Sequence, residues 1–200
     1  MNPIHRAGLT LGTCVLVAIV ALSATHHLTK KRIASTQHQW LTNNLASILP
    51  NGPFDNDPLL SAHNINAPSL GSDKPLTVYP VYKDEKPLAA VLTVIAPNGY
   101  NGQITLLLGV SVNGTIIGAR VTNHNETPGL GDDIELKRSE WIHSFSNKSL
   151  SNTTSLYWNV RKDNGTFDAF TGATITPRAV IHAVYRALKW FENNQDRVFD

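Results

Sequence analysis

Residues Asp168 to Arg178 read Asp168-Ala169-Phe170-Thr171-Gly172-Ala173-Thr174-Ile175-Thr176-Pro177-Arg178, which sets three hydroxyls and two minimal side chains within six positions. Thr176 stands directly before Pro177, and an apolar-periodic stretch follows. Proline is favoured at the first helical position, and threonine is a good N-cap. The spacing therefore predicts the Thr176 hydroxyl at a helix N-terminus, where unpaired N–H groups and the positive end of the helix dipole point. Such a place suits a phosphate group. Gly172 and Ala173 let a backbone approach a ligand closely, and Thr171 and Thr174 add hydroxyl donors. The same residues also describe an ordinary Thr-Pro helix cap with nothing bound.

Other chemistries lack their residues. The only cysteine, Cys14, lies in an apolar segment, so neither an intrachain disulfide nor a cysteine-based zinc or iron–sulfur site is available. His124 has no second histidine at metal-ligand spacing, and His-Glu-x-x-His is absent. No Gly-x-Ser-x-Gly elbow supports a hydrolase. The net charge is +2, and no Lys/Arg run is interleaved with aromatics, so nothing supports a nucleic-acid partner.

The elements that must position the threonines are legible in outline. Leu76 to Tyr82, Leu88 to Ala96, Ile104 to Val112 and Thr115 to Thr122 read as strands. A turn over Pro97-Asn98-Gly99-Tyr100-Asn101-Gly102 joins the second and third. Asn113-Gly114, between two apolar runs, is a strong hairpin signal. An antiparallel meander follows. Asp133 to Phe145 predicts a short helix, Leu156 to Val160 one more strand, and Arg178 to Asn194 a helix with Val180, Val184, Leu188 and Phe191 on one face. Strands flanked by helices without a repeated βαβ unit give an α+β class.

Ahead of this domain, Ala7 to Thr25 carries no charge. At roughly 1.5 Å per residue those residues make about 28 Å of helix, which just crosses a bilayer core of about 30 Å. A single N-terminal transmembrane helix is the direct reading. A cleaved signal peptide is the rival, because Ala21-Leu22-Ser23 resembles a small-residue cleavage site. Leu41, Leu45, Ile48 and Leu49 then fall at helical spacing, with Pro50 expected to end the helix. Asn51 to Pro75 reads mostly as loop. The expected organisation is a short N-terminus over 1–6, the span over 7–25, a stalk helix and loop over 26–75, and a ligand-binding domain over 76–200. Counted simply, Lys30, Lys31 and Arg32 after the span outweigh Arg6 before it, which favours a cytoplasmic C-terminal domain.

Thr171-Gly172-Ala173-Thr174-Ile175-Thr176 resembles the Ser/Thr-Gly-Ala-Thr-x-Thr signature of the FMN-binding domain. That domain is shared by the G subunit of the Rnf/Rsx electron transport complex and the C subunit of the sodium-pumping NADH:quinone reductase. A second block, His124-Asn125-Glu126-Thr127-Pro128-Gly129-Leu130-Gly131-Asp132, resembles the family's Glu-Thr-Pro-Gly-Leu-Gly segment. Further stretches resemble the Rnf/Rsx member: Lys86-Pro87-Leu88-Ala89-Ala90-Val91, residues 97–102, and Ile134-Glu135-Leu136. The resemblance implies FMN joined covalently to Thr176 through a phosphoester. Thr171, Gly172, Ala173 and Thr174 would surround it, and Glu126, Thr127, Leu130 and Gly131 would lie beside the flavin. Glu126 reads equally as a solvated carboxylate. Arg161 and Lys162 read either as compensation for flavin charge or as plain surface charges.

The resemblance further implies an electron-carrying subunit of an ion-translocating oxidoreductase, without independent catalysis. Its partners would be the other subunits of the Rnf/Rsx complex, with a flavin transferase using FAD and magnesium for maturation. It also implies a bacterial inner-membrane protein whose C-terminal domain lies in the periplasm, against the simple charge count. The C-like subunit, a stand-alone exported flavoprotein, and a cofactor-free membrane-anchored binding module are the alternatives.

Overall fold

A computed structural model describes residues 2–49 and 54–199. The chain divides into two compact units, Met1–Asn43 and Asn44–Asp200.

The first unit is helical. Helix α1, Pro3–Ile48, is one continuous run of 46 residues that carries over into the second unit. Its uncharged stretch leaves Leu9, Leu11, Val15, Leu16, Val17, Ile19, Val20 and Leu22 exposed. An apolar surface of that length without protein cover is long and apolar enough to cross a membrane. Two hydroxyls within it are paired inside the helix: Thr13 donates to Leu9 O at 2.7 Å and Thr25 to Ala21 O at 2.8 Å. A helix in hydrocarbon needs that internal pairing. Pro50 lies outside the described residues, as do Asn51, Gly52 and Pro53 at the start of the expected loop.

The second unit is α+β. Strands β1 (His63–Ile65), β2 (Leu76–Lys83), β3 (Lys86–Gly99), β4 (Gly102–Ser111) and β5 (Ile116–Asn123) form an antiparallel sheet in sequence order. Side-chain alternation decides its faces. Ala90, Leu92, Val94 and Ala96 of β3 and Ile104, Leu106, Leu108 and Val110 of β4 face a core shared with helix α2, Ile175–Glu192. On α2, Val180, Val184, Leu188 and Phe191 are buried as one stripe. A short helix α3, Gln195–Phe199, follows.

Glycines open the opposite face. Gly109 pairs with Gly118 across β4 and β5, and a Cβ on Gly109 would sit 2.4 Å from Ile48 Cγ2. The last turn of α1 thus seats Ile48 on bare backbone. Arg120 secures it by donating from Nη2 to Ser47 O at 2.9 Å, a cation at a helix C-terminus.

Three expectations change. Asp133 to Phe145 is not one helix but two 3-10 turns, Gly131–Ile134 and Glu140–Phe145. Ser139 separates them, taking an extended backbone and accepting the Trp141 N–H at 3.1 Å. Leu156 to Val160 is not a strand. It holds a 3-10 turn, Ser155–Tyr157, and Val160 makes only an isolated bridge to Phe167. Its Trp158 joins an aromatic cluster instead: Phe167 lies 4.7 Å from Phe145 and 5.6 Å from Trp158, whose indole lies 5.7 Å from Tyr185 of α2. Finally, α2 begins at Ile175 with Thr174 at the N-cap, so Thr176 lies inside the first turn and not at the cap. Pro177 permits this, because no N–H of the first helical turn has an intrahelical partner to lose.

Candidate functional site

Three segments far apart in sequence enclose one cleft of about 320 Å³: Tyr100 in the β3–β4 turn, Glu126 to Gly131 after β5, and Gly172 to Thr176 at the start of α2. A volume of that order falls at the lower end of small-molecule sites, about 300–1,000 Å³.

Each segment is held by its own contacts. After β5, the Glu126 N–H donates to His124 Nδ1 at 3.0 Å, so Nδ1 is the accepting nitrogen and Nε2 carries the proton toward Glu135 Oε1 at 2.7 Å. The N–H groups of Leu130 and Gly131 both donate to Thr127 O at 3.1 Å, which closes a tight turn. Buried Asp132 accepts the Gly129 N–H at 2.6 Å and pairs with Arg138 at 3.1 Å. On the α2 side, Gly172 has a φ of +80°, a left-handed turn that glycine takes without strain. The Ala173 N–H closes that turn onto Phe170 O at 3.2 Å. Phe170 meets Trp141 edge-to-face at 5.0 Å, and the Trp141 indole N–H donates to Asp168 O at 2.8 Å.

The segments meet at two buried side chains. Thr176 is fully buried and its Oγ1 donates to Glu126 Oε2. Glu126 is 4 % exposed, and its other oxygen accepts the Asn101 N–H at 3.1 Å. A buried carboxyl group needs such donors. Asn101 Nδ2 also donates to Thr127 Oγ1 at 3.2 Å, tying the hairpin turn to the second segment. Gly131 is the point of closest approach. A Cβ there would lie 2.8 Å from Glu126 Oε2 and 3.0 Å from Thr176 Oγ1.

Of the residues singled out by sequence, Glu126, Thr127, Leu130, Gly131, Gly172, Ala173, Thr174 and Thr176 all line the cleft. Thr171 does not line it and is exposed. Glu126 is not a solvated carboxylate. Arg161 pairs with Asp168 at 2.9 Å on the open surface, and neither Arg161 nor Lys162 borders the cleft. Sequence reasoning did not single out Tyr100, Asn101 or Ile175. The Tyr100-Asn101 pair was legible as turn residues within a stretch resembling the family, and Ile175 only as the variable position of the motif.

A smaller cleft of about 220 Å³ borders the first through Ile175 and carries Arg178, His182 and Arg186 at four-residue spacing on α2. Arg178 forms a two-point pair with Asp163, Nε to Oδ2 at 2.6 Å and Nη2 to Oδ1 at 3.0 Å, which holds the Asp163 carboxyl below the usual range. Burial, then the Arg186 and Arg178 charges, lower the His182 pKa.

Residues 99–189 match the FMN-binding domain family, a span that includes all three walls of the cleft. The chain is 44% identical over 194 residues to the G subunit of the ion-translocating oxidoreductase complex of Pseudomonas aeruginosa, covering 96% of this chain and 91% of that one. It is 43% identical over 187 residues to the protein of the same name from Escherichia coli, covering 94% and 90%. A crystal structure of Shewanella oneidensis NqrC aligns at 22% identity with a TM-score of 0.45, over 72% of this chain and 74% of its own.

Proposed function

Because the chain belongs to the family of G subunits of ion-translocating oxidoreductase complexes, we propose that it is a membrane-anchored flavoprotein subunit that carries FMN on Thr176 through a phosphoester and relays electrons within such a complex. The observation that carries this reading is the placement of the Thr176 hydroxyl, in the first turn of an 18-residue helix and at the floor of the cleft.

The lining fits the group chemically. Thr174 and Thr176 and the free N–H groups of the first turn of α2 suit a phosphate. A threonyl phosphodiester keeps one negative charge, and a helix N-terminus stabilises such a charge by about 0.3–2 kcal/mol. Tyr100, Leu130 and Ile175 leave apolar surface in solvent around the mouth, at 64%, 42% and 47% exposure. That surface suits the face of a planar ring, and Gly131 and Gly172 let backbone come close to it. Bound FMN supplies the electron transfer at its isoalloxazine ring. Thr127 offers a hydroxyl to the ring side of the cleft. Thr171, being outside the cleft, serves recognition by a transferase or only the turn.

The proposed organisation is residues 1–6 in the cytoplasm, a span over 7–25, a stalk helix and loop over 26–75 whose β1 joins the sheet of the following domain, and a periplasmic flavin domain over 76–200, in the bacterial inner membrane. Covalent attachment has a physical logic there. Even nanomolar affinity, about −12 kcal/mol, fails where free FMN is diluted away. Electron donor and acceptor would come from partner subunits, and the flavin from a transferase using FAD and magnesium.

The test is co-expression of the full chain with a flavin transferase. After denaturation, a fluorescent flavin band is expected at the mobility of this chain. A dark band under conditions that label a known acceptor would leave the cofactor-free binding module as the better reading. Orientation has its own measurement. A reporter active only in the cytoplasm, fused after Asp200, is expected to be silent, and its activity would overturn the periplasmic placement that the basic cluster at Lys30 to Arg32 already opposes.

A further inference from the structure

We infer that Glu126 is the proton acceptor for esterification of Thr176, so that this chain supplies a catalytic group for its own modification. The inference rests on the proposed attachment of FMN at Thr176.

The geometry singles out one carboxylate. Thr176 Oγ1 already donates its proton to Glu126 Oε2, and both side chains are buried. Glu126 Oε1 is fixed by the backbone N–H of Asn101 at 3.1 Å, a donor that belongs to the hairpin and not to a mobile side chain. The other buried carboxylate nearby, Asp132, is engaged by Gly129 N–H and by Arg138. His124 Nδ1 is engaged by the Glu126 N–H. A neutral threonine hydroxyl is a weak nucleophile, and an adjacent base within hydrogen-bond reach is the usual means of activating one.

The step balances with FAD as donor. Thr176 Oγ1 attacks the phosphorus on the riboflavin side of the FAD diphosphate. The Oγ1–H bond breaks, and its proton passes to Glu126 Oε2. The Oγ1–P bond forms as the bond from that phosphorus to the bridging oxygen breaks, and AMP leaves with the electron pair. Nothing is oxidised or reduced.

A glutamine at this position would accept from the hydroxyl before the reaction but could not take up the proton.

The experiment measures the single-turnover rate of flavin incorporation into the full-length chain, with transferase in excess and FAD and magnesium saturating. Glu126→Gln is expected to incorporate flavin at least about 100-fold more slowly than wild type, the lower bound of general-base contributions. Glu126→Asp is expected to recover part of the loss. The reversible affinity for free FMN and the melting temperature, read alongside, report whether the cleft is intact. Equal rates in Glu126→Gln and wild type would overturn the inference while leaving Thr176 as the attachment site. Failure of the wild type itself to take up flavin would overturn the underlying reading. Should Glu126→Gln not fold, Glu126→Ala with and without added formate decides the matter: a slowed rate that formate raises supports the proposal, and an unslowed rate, or one that formate leaves unchanged, overturns it.

Discussion

Thr176→Ala is expected to eliminate the covalent flavin while the protein still accumulates in the membrane. The reason is atomic: the substitution removes the one hydroxyl that is both inside the cleft and hydrogen-bonded to Glu126. It also leaves Glu126 Oε2 without its donor in a buried place. An unsatisfied buried acceptor costs about 1–3 kcal/mol, so the apoprotein should melt somewhat lower but remain folded. Thr176→Ser keeps the oxygen and should keep the label. Thr171 and Thr174 are the competing acceptors within the same loop. Trypsin releases all three in one fragment, residues 163–178, so the added mass must be placed by fragmentation within that peptide. A label that persists in Thr176→Ala, or that maps to Thr174, would remove the site assignment.

The meander was legible because its strands alternate and because Asn113-Gly114 announces a hairpin. β4 and β5 do pair antiparallel around it, with Gly114 at a φ of +75°. The β2–β3 turn was less visible. It uses Asp84 and Glu85 at φ of +50° and +61°, a left-handed pair that Asn-Gly or Asp-Gly would have signalled and Asp-Glu does not. The start of α2 was misplaced because a Thr-Pro step fits both a cap and a first turn. From inside the first turn the Thr176 hydroxyl meets the Glu126 carboxylate, fifty positions away. That contact depends on the path of the chain after β5 and on the docking of α2, neither of which a local pattern encodes. The same holds for Asn101, whose part in the cleft is its backbone N–H and so leaves no mark on residue type. Leu156 to Val160 failed as a strand for a different reason: its Trp158 is matched to aromatic partners from two other segments, Phe167 and Tyr185, and not to a neighbouring strand.

That aromatic cluster carries the second large effect. Phe167 is fully buried between Phe145, at 4.7 Å, and Trp158, at 5.6 Å, with Lys148 Nζ 5.2 Å from its ring centroid. Its backbone is pinned too, the Arg161 N–H donating to Phe167 O at 2.7 Å. Phe167→Ala should destabilise the domain by about 3–5 kcal/mol, since the transfer energy of the ring is lost and the rigid indole and phenyl neighbours cannot collapse onto the cavity. That is a large share of the about 5–15 kcal/mol available to a domain of ordinary stability. Arg161→Ala, which removes only an exposed pair with Asp168, should cost under about 1 kcal/mol and serves as the comparison. The larger loss should reach the site. Phe167 and Phe170 flank the Asp168 carbonyl that Trp141 holds, and Trp141 lies 5.3 Å from Phe145, so the cluster fixes the loop that delivers Thr174 and Thr176. Flavin incorporation into Phe167→Ala, measured below its melting temperature, should therefore be slower than into Arg161→Ala. A melt within about 1 kcal/mol of wild type would mean that the loop owes its position to the backbone alone. A normal rate of incorporation in a destabilised protein would mean that the cleft forms without the cluster beneath it.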